Sequence, residues 1–267
     1  MELIKVNDLS VTFTQYEGWW TQRRVSVLHD VSLAIHEREI VAIIGASGSG
    51  KSILAHALLG LLPENAHLSG DMRFRGEVLT DRLQRTLRGT VIHFIPQSVN
   101  FLDPLQRVGK QVQWGRSKAC AIVEQRDLFH RYGLSSTVAE LYPHELSGGM
   151  RRRVLFATAM HNTTQCIIAD EPTPGVHPSI LKAMLDDFMR LREEGVSILF
   201  ITHDLMAALR VADRVYIMKD GRVVEEAQPS QFVGRGESLV HSYTKNLWRA
   251  LPENEFSVEE EFHVTSE

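Results

Sequence analysis

Residues 2–13 alternate apolar and polar side chains, with several β-branched residues among them, which predicts a β-strand. Residues 14–24, TQYEGWWTQRR, break that alternation and predict an exposed loop of unusual aromatic content. Strand character resumes over 25–35, and IVAII at 40–44 is a short continuous apolar run typical of a buried strand. A glycine-rich stretch follows, then a helix predicted over 51–62 and stopped by Pro63. Residues 70–75 and 91–96 predict further strands. From about 105 to 142 the apolar spacing turns helical, as at Ala121, Val123, Leu128 and Tyr132, which predicts a helical insertion. Beyond Gly148 the order is helix, strand (166–169), helix (178–194), strand (197–202), helix, strand (214–218). Strands alternating with helices predict an α/β fold whose parallel sheet is covered on both faces. No internal repeat or low-complexity segment interrupts the pattern.

Composition narrows the class without choosing a function. A chain of 267 residues with 43% hydrophobic and 23% charged residues has the balance of a globular domain, alone or with a subdomain. Its net charge of -4 does not suggest nucleic-acid binding. That charge is uneven, because 251–267 holds six Glu and no Lys or Arg, leaving the body about +2. This end reads as a solvated acidic tail. Two cysteines, Cys120 and Cys166, cannot build a disulfide framework or a metal site alone, and Cys166 in its apolar run reads as a core residue. The start, MELIKVNDLSV, lacks the pattern of a signal peptide, and the longest apolar stretch, 53–63, is too short to cross a bilayer. These features predict a soluble, cytoplasmic protein able to dock onto a membrane partner.

The chemistry concentrates at two strand ends. Gly45-Ala46-Ser47-Gly48-Ser49-Gly50-Lys51-Ser52 fits G-x-x-x-x-G-K-[ST], with an apolar strand before it and a helix after it. Such a loop wraps its backbone N–H groups and the helix N-terminus around phosphate oxygens. Lys51 would neutralise the β- and γ-phosphates, and the Ser52 hydroxyl would ligate Mg²⁺. The run CIIA followed by Asp170 and Glu171 is an apolar strand ending in two acids, which a doubly wound sheet would set beside the loop. Asp170 would hold the metal, and Glu171 would orient and polarise the attacking water. Hydrolysis of a nucleoside triphosphate follows from the pair.

Leu146-Ser147-Gly148-Gly149-Met150, with Ser147 lying 23 residues before Asp170, resembles the signature of the ATP-binding cassette (ABC) family. Ser147 suits a helix N-cap, and the glycines leave backbone N–H groups open to an anion. Gln97 after VIHFIP and His203 after SILFIT are similar to the family's Q-loop and H-loop residues. The resemblance runs over about residues 2–250. It implies a P-loop NTPase core with a mainly parallel sheet, an N-terminal antiparallel β-subdomain and a helical signature subdomain at about 105–160. The ATPase domain would span 1–250 and the acidic tail 251–267. The resemblance further implies that ATP with Mg²⁺ is sandwiched between two chains. In that arrangement Ser147, Gly148 and Gly149 face the γ-phosphate held by the partner. Gln97 senses the metal, and His203 contacts the γ-phosphate. An aromatic near the first strand stacks on adenine, for which Phe13 is the choice and Tyr16 the reserve.

GASGSGKS, the Met150 ending of the signature, and the stretch HSYTKNLWRALP at 241–252, with Ser242 in place of the usual proline, resemble the dipeptide, oligopeptide and nickel importer branch. The branch implies a peripheral position on the cytoplasmic face of the cell membrane, with two permease subunits, a second ATPase subunit and an extracytoplasmic binding protein. Peptides and nickel or other chelated metals are both open as cargo. With no cysteine after Cys166, no iron–sulfur centre is expected. Two departures stand out. His177 replaces the family's D-loop aspartate, with Pro174 and Gly175 reshaping the turn, which leaves two readings open: a heterodimer with unequal ATP sites, or a partner whose facing loop compensates for His177. The stretch after Gln97, Ser98-Val99-Asn100-Phe101-Leu102-Asp103-Pro104, also differs from the usual one. The rival reading is an ABC ATPase without a permease. Arg151, Arg152 and Arg153 on the signature helix are expected to be solvated or to face a partner.

Overall fold

The computed structural model describes residues 1–17, 21–161, 163–173 and 177–251. Its centre is built from the apolar runs that sequence marks as buried. Strands β3 (Ile40–Ile44), β7 (Cys166–Asp170) and β8 (Ser197–Thr202) are buried along their whole length. With β6 (Ile92–Ile95), β9 (Arg214–Lys219) and β10 (Arg222–Ala227) they form a sheet in the order β10-β9-β3-β8-β7-β6. All its pairings are parallel except β9 with β10. Alternation along each strand divides the interior into two cores. Ile40, Ala42 and Ile44 pack with Phe156, Phe188 and Phe200 on one face, whereas Val41 and Ile43 pack with Leu54 and Leu58 on the other.

The second core is closed by an antiparallel sheet of β1 (Glu2–Glu17), β2 (Thr21–His36), β4 (Ala66–Phe74) and β5 (Glu77–Val78), in the order β2-β1-β4-β5. Helix α1 (Lys51–Leu59) lies in this core, and α2 (Asp81–Leu87) packs beside it. The first core takes α3 (Val108–Gln113), α4 (Ala121–Arg131), α5 (Gly148–Thr158), α6 (Pro178–Glu193), α7 (Leu205–Val211) and α8 (Ser242–Arg249). The α/β class, the mainly parallel sheet and the N-terminal antiparallel sheet are therefore as expected.

Several boundaries differ for identifiable reasons. Within the predicted loop at 14–24, the described residues 14–17 and 21–24 instead form the far end of a β-ribbon, with Thr14 opposite Arg24 and Glu17 opposite Thr21. Cross-strand backbone bonds carry this end, and Tyr16 is 72% exposed, so no buried face imposes alternation on it. Trp19 and Trp20 lie outside the described residues. Helix α1 stops before Pro63, at a left-handed Gly60. There Gly60 N–H donates to Ala57 O and Leu61 N–H to His56 O, closing the end as a Schellman motif. The buried Gln84 of α2 donates to Ala57 O and Leu58 O at 2.8 and 3.1 Å, satisfying further carbonyls of that end. Val123 is exposed; the buried face of α4 runs through Ala121, Gln125 and Leu128 to Tyr132. Helices α2 and α8 and strand β10 are additions to the elements expected from sequence. Cys166 is a core residue, as read. The acidic tail from 252 onward lies outside the described residues. Among the described residues, no helix is long and apolar enough to cross a membrane.

Candidate functional site

The order of the parallel strands brings separate sequence motifs to one edge. Strand β8 lies between β3 and β7, and β6 flanks β7, so their carboxyl ends form a row. The glycine-rich loop leaves β3, His203 follows β8, Asp170 ends β7 with Glu171 next, and Gln97 follows β6. A cleft of about 500 Å³ opens there, lined by Ser47, Gly48, Gly50, Lys51, Ser52 and Ile53 on one side. Gln97, Glu171, His203 and Val27 complete it. Such crevices at carboxyl ends are the usual ligand sites of open α/β sheets.

The loop holds its cation inward. Lys51 is 6% exposed, and its ammonium donates to Gly45 O at 2.8 Å and Ala46 O at 2.9 Å. Burial lowers its pKa, and the carboxylates of Glu171 and Asp170 oppose that shift. The buried Ser49 bonds through its backbone, N–H to Ala46 O and carbonyl to Gly221 N–H. Leu54 N–H donates to Gly50 O and opens α1. The loop is thus a closed turn that leads into a helix start at the cleft, where anions are favoured.

The two acids differ in setting. Asp170 is 2% exposed, and burial raises its pKa, while a hydrogen bond from the Ser52 hydroxyl opposes the rise. One of its oxygens, Oδ1, is buried without a hydrogen-bond partner. Glu171 Oε2 lies 2.7 Å from His203 Nδ1, an imidazole that is largely open to solvent. Glu171 also adopts a left-handed backbone, φ 47°, which costs a residue with a Cβ about 1–2 kcal/mol. Non-glycine strain of this kind persists only where neighbours over-determine it. Here the Glu171 N–H donates to Ile201 O at 2.9 Å, and its carbonyl accepts from Arg152 at 3.0 Å.

Not every expected residue lines this cleft. Phe13 is half-buried in β1, paired with Val25 and Ala66, and is not part of the cleft wall. Ser147 caps α5, accepting from Met150 N–H at 3.2 Å, as its position suggested. Gly148 and Gly149 have open space where a Cβ would stand, and with Ser147 they sit apart from this chain's own cleft. His177 is exposed at the start of α6, while Pro174 and Gly175 lie outside the described residues.

Three further residues join the site without a sequence signal. Val27 is the extra residue of a bulge in β2, between the Leu28 and Ser26 pairings, and it lines the cleft. Tyr243 of the HSYT stretch accepts from Ala46 N–H at 3.3 Å, with the Lys219 ammonium 5.2 Å over its ring. Arg152 turns inward, unlike the solvated alternative of the two roles expected, and Arg153 donates to Tyr132 O and Gly133 O. Both are drawn in because their stems reach carbonyls left open at the ends of β7 and α4.

The glycine opposite the bulge gives a direct test of this packing. Gly221 has φ +74°, and a Cβ there would meet Val27 O at 2.1 Å. Gly221→Ala should therefore cost about 3 kcal/mol, read as a lower midpoint in chemical denaturation. Because Gly221 N–H also holds Ser49 O, the glycine-rich loop should be loosened with it. An unchanged midpoint would contradict the close approach.

A glycine-rich loop, an inward lysine and a carboxylate strand end, all at the carboxyl edge of a parallel sheet, define a phosphate-loop protein. The chain belongs to the ABC transporter family, whose profile matches residues 28–174. It is similar to "Peptidoglycan transport ATP-binding protein YejF" of Agrobacterium fabrum, 38% identical over 95% of this chain and 48% of that protein. It is also similar to "Oligopeptide transport ATP-binding protein OppD" of Salmonella typhimurium, 34% identical over 94% of this chain and 76% of that protein. The chain thus spans about half the length of the first relative and about three quarters of the second. Among solved structures, the ATP-binding cassette MJ0796 bound to ADP and Pi matches with a TM-score of 0.74. It is 28% identical, over 85% of this chain and 99% of that one.

Proposed function

We propose that this chain binds and hydrolyses ATP as a motor subunit of a membrane importer for peptides. One observation carries the chemistry: Lys51 with its loop, Ser52 and the Glu171–His203 pair line one cleft, with the buried Asp170 behind Ser52. Loop N–H groups and Lys51 would hold the triphosphate. The unpartnered Asp170 Oδ1 and the Ser52 hydroxyl are hard oxygen donors, and with Gln97 they suit Mg²⁺. Bound there with ATP, the cation would neutralise charge on the phosphate oxygens. Glu171 would take a proton from the attacking water, and His203 would keep its carboxylate aimed while meeting the γ-phosphate. Phe13 remains our choice for the adenine stack, with Tyr16 as reserve.

The assembly follows from residues left outside the cleft. Ser147, Gly148 and Gly149 end a helix in the open, available to a nucleotide held by another chain. We therefore place this chain in a heterodimer with a second ATPase, against two permease subunits at the cytoplasmic face of the membrane, with an extracytoplasmic binding protein delivering cargo. The ATPase domain would be 1–250, its helical part about 105–160, and 251–267 a tail. No nucleic acid takes part. Names of the relatives favour transport over a permease-free ATPase, and peptides over nickel or metal chelates as cargo.

Two measurements test this. The purified chain should hydrolyse ATP poorly by itself and much faster with the second ATPase and the permeases, since its site would lack the facing signature helix. Full activity in a strictly monomeric sample would overturn the two-chain site. In cells, deleting the gene should abolish uptake of labelled peptides and spare nickel uptake; the reverse would reassign the cargo.

A further inference from the structure

Arg152 lies just over one turn into α5, the helix opened by the Ser147 cap. Its guanidinium is half-buried. Nη1 donates to Glu171 O at 3.0 Å, and Nη2 reaches Gln97 O at 3.5 Å, the long end of hydrogen bonding. Burial lowers its pKa, and the Glu171 charge opposes that shift. The neighbouring Arg153 instead donates to Tyr132 O and Gly133 O, closing the end of α4 away from the cleft. Two adjacent arginines therefore have different tasks.

Glu171 is the residue that needs restraint. Its left-handed backbone is uncommon for a side chain of its type, and that conformation directs the carboxylate to His203. On the amino side its N–H is tied to Ile201 of β8. On the carboxyl side its carbonyl is tied to Arg152. We propose that Arg152 is a positioning residue: by holding the carbonyls of Glu171 and Gln97 from α5, it fixes the aim of the Glu171 carboxylate. The bond also joins the helix that begins at Ser147 to the cleft of the same chain. A shift of α5 away from β7 would release Glu171 and lower its activity without touching the phosphate loop. The inference rests on the proposed role of Glu171 in ATP hydrolysis.

The test uses the full chain assembled with its permeases and a second ATPase whose own site has been inactivated. Arg152→Met keeps the stem and removes the donors; Arg152→Lys keeps the charge but loses the planar fork. For Arg152→Met we expect kcat to fall about 10- to 100-fold, the scale of a misplaced catalytic group. KM for ATP and the affinity for a fluorescent ATP analogue should stay within about twofold, and the thermal midpoint should fall by only about 2–4 °C, the scale of one lost hydrogen bond. Arg152→Lys should recover part of kcat, because an ammonium can serve one carbonyl at a time. Wild-type kcat in Arg152→Met, beside an inactive Glu171→Gln, would overturn the inference and leave the ATPase reading intact. A loss of kcat matched by equal losses in affinity and thermal midpoint would also overturn it, as a general structural role. If Arg152→Met does not fold, Arg152→Lys decides: a reduced kcat at normal affinity supports positioning, and a wild-type kcat refutes it. Normal turnover by Glu171→Gln would remove the underlying reading, and this inference with it.

Discussion

Glu171→Gln should leave ATP bound and stop its turnover. The amide has nearly the shape of the carboxylate, so the backbone ties to Ile201 and Arg152 and the contact with His203 can persist. It cannot take a proton from water. Loss of a positioned general base costs about 10²- to 10⁴-fold in rate. The phosphate loop is untouched, so affinity for a fluorescent ATP analogue should remain within a few-fold of the wild type. Turnover is to be measured in the assembled complex with the second subunit's own site inactivated. Hydrolysis near the wild-type rate would show that another group activates the water, and His203 would be the next to replace.

Lys51→Ala should act one step earlier, on binding. Its ammonium rests on Gly45 O and Ala46 O, so it stands over the loop that would receive the phosphates. It is also a positive charge shared by two carboxylates, Asp170 and Glu171, that would otherwise face the triphosphate alone. Two charge-assisted hydrogen bonds from this ammonium to phosphate oxygens would contribute about 3 kcal/mol or more, which is roughly a 100-fold loss in affinity. Removing the charge from beside the carboxylates adds repulsion of the same sign. Titration with a fluorescent ATP analogue reads the effect directly, and circular dichroism checks that the fold survives. Equal affinity in mutant and wild type would exclude this loop as the phosphate site. The two variants therefore separate binding from chemistry.

Much of the fold was legible because its signals are local. IVAII at 40–44, the run from Cys166 to Asp170 and SILFIT at 197–202 are continuous apolar stretches, and a strand buried on both faces needs nothing else to declare itself. The glycine-rich loop and the Ser147 cap are likewise short-range, because the residues that make the turn also make its hydrogen bonds. Where burial on one face was missing, as around Tyr16, sequence and structure parted, since cross-strand backbone bonds leave no trace in hydrophobic pattern.

The chain by itself therefore determined the parts of the cleft: the loop with Lys51 and Ser52, the acids at the end of β7, and Gln97 and His203 after their strands. It determined these because each depends on a strand end and the few residues that follow it. Only the tertiary structure decided how they meet. The order β3-β8-β7-β6 is not the order along the chain, and that order sets His203 against Glu171. The same long-range packing turned Arg152 inward to two carbonyls, brought Tyr243 from the last helix to Ala46, and put the Val27 bulge in the cleft wall. Contacts between residues tens to hundreds of positions apart carry no local spacing, so they become visible only once the sheet is assembled.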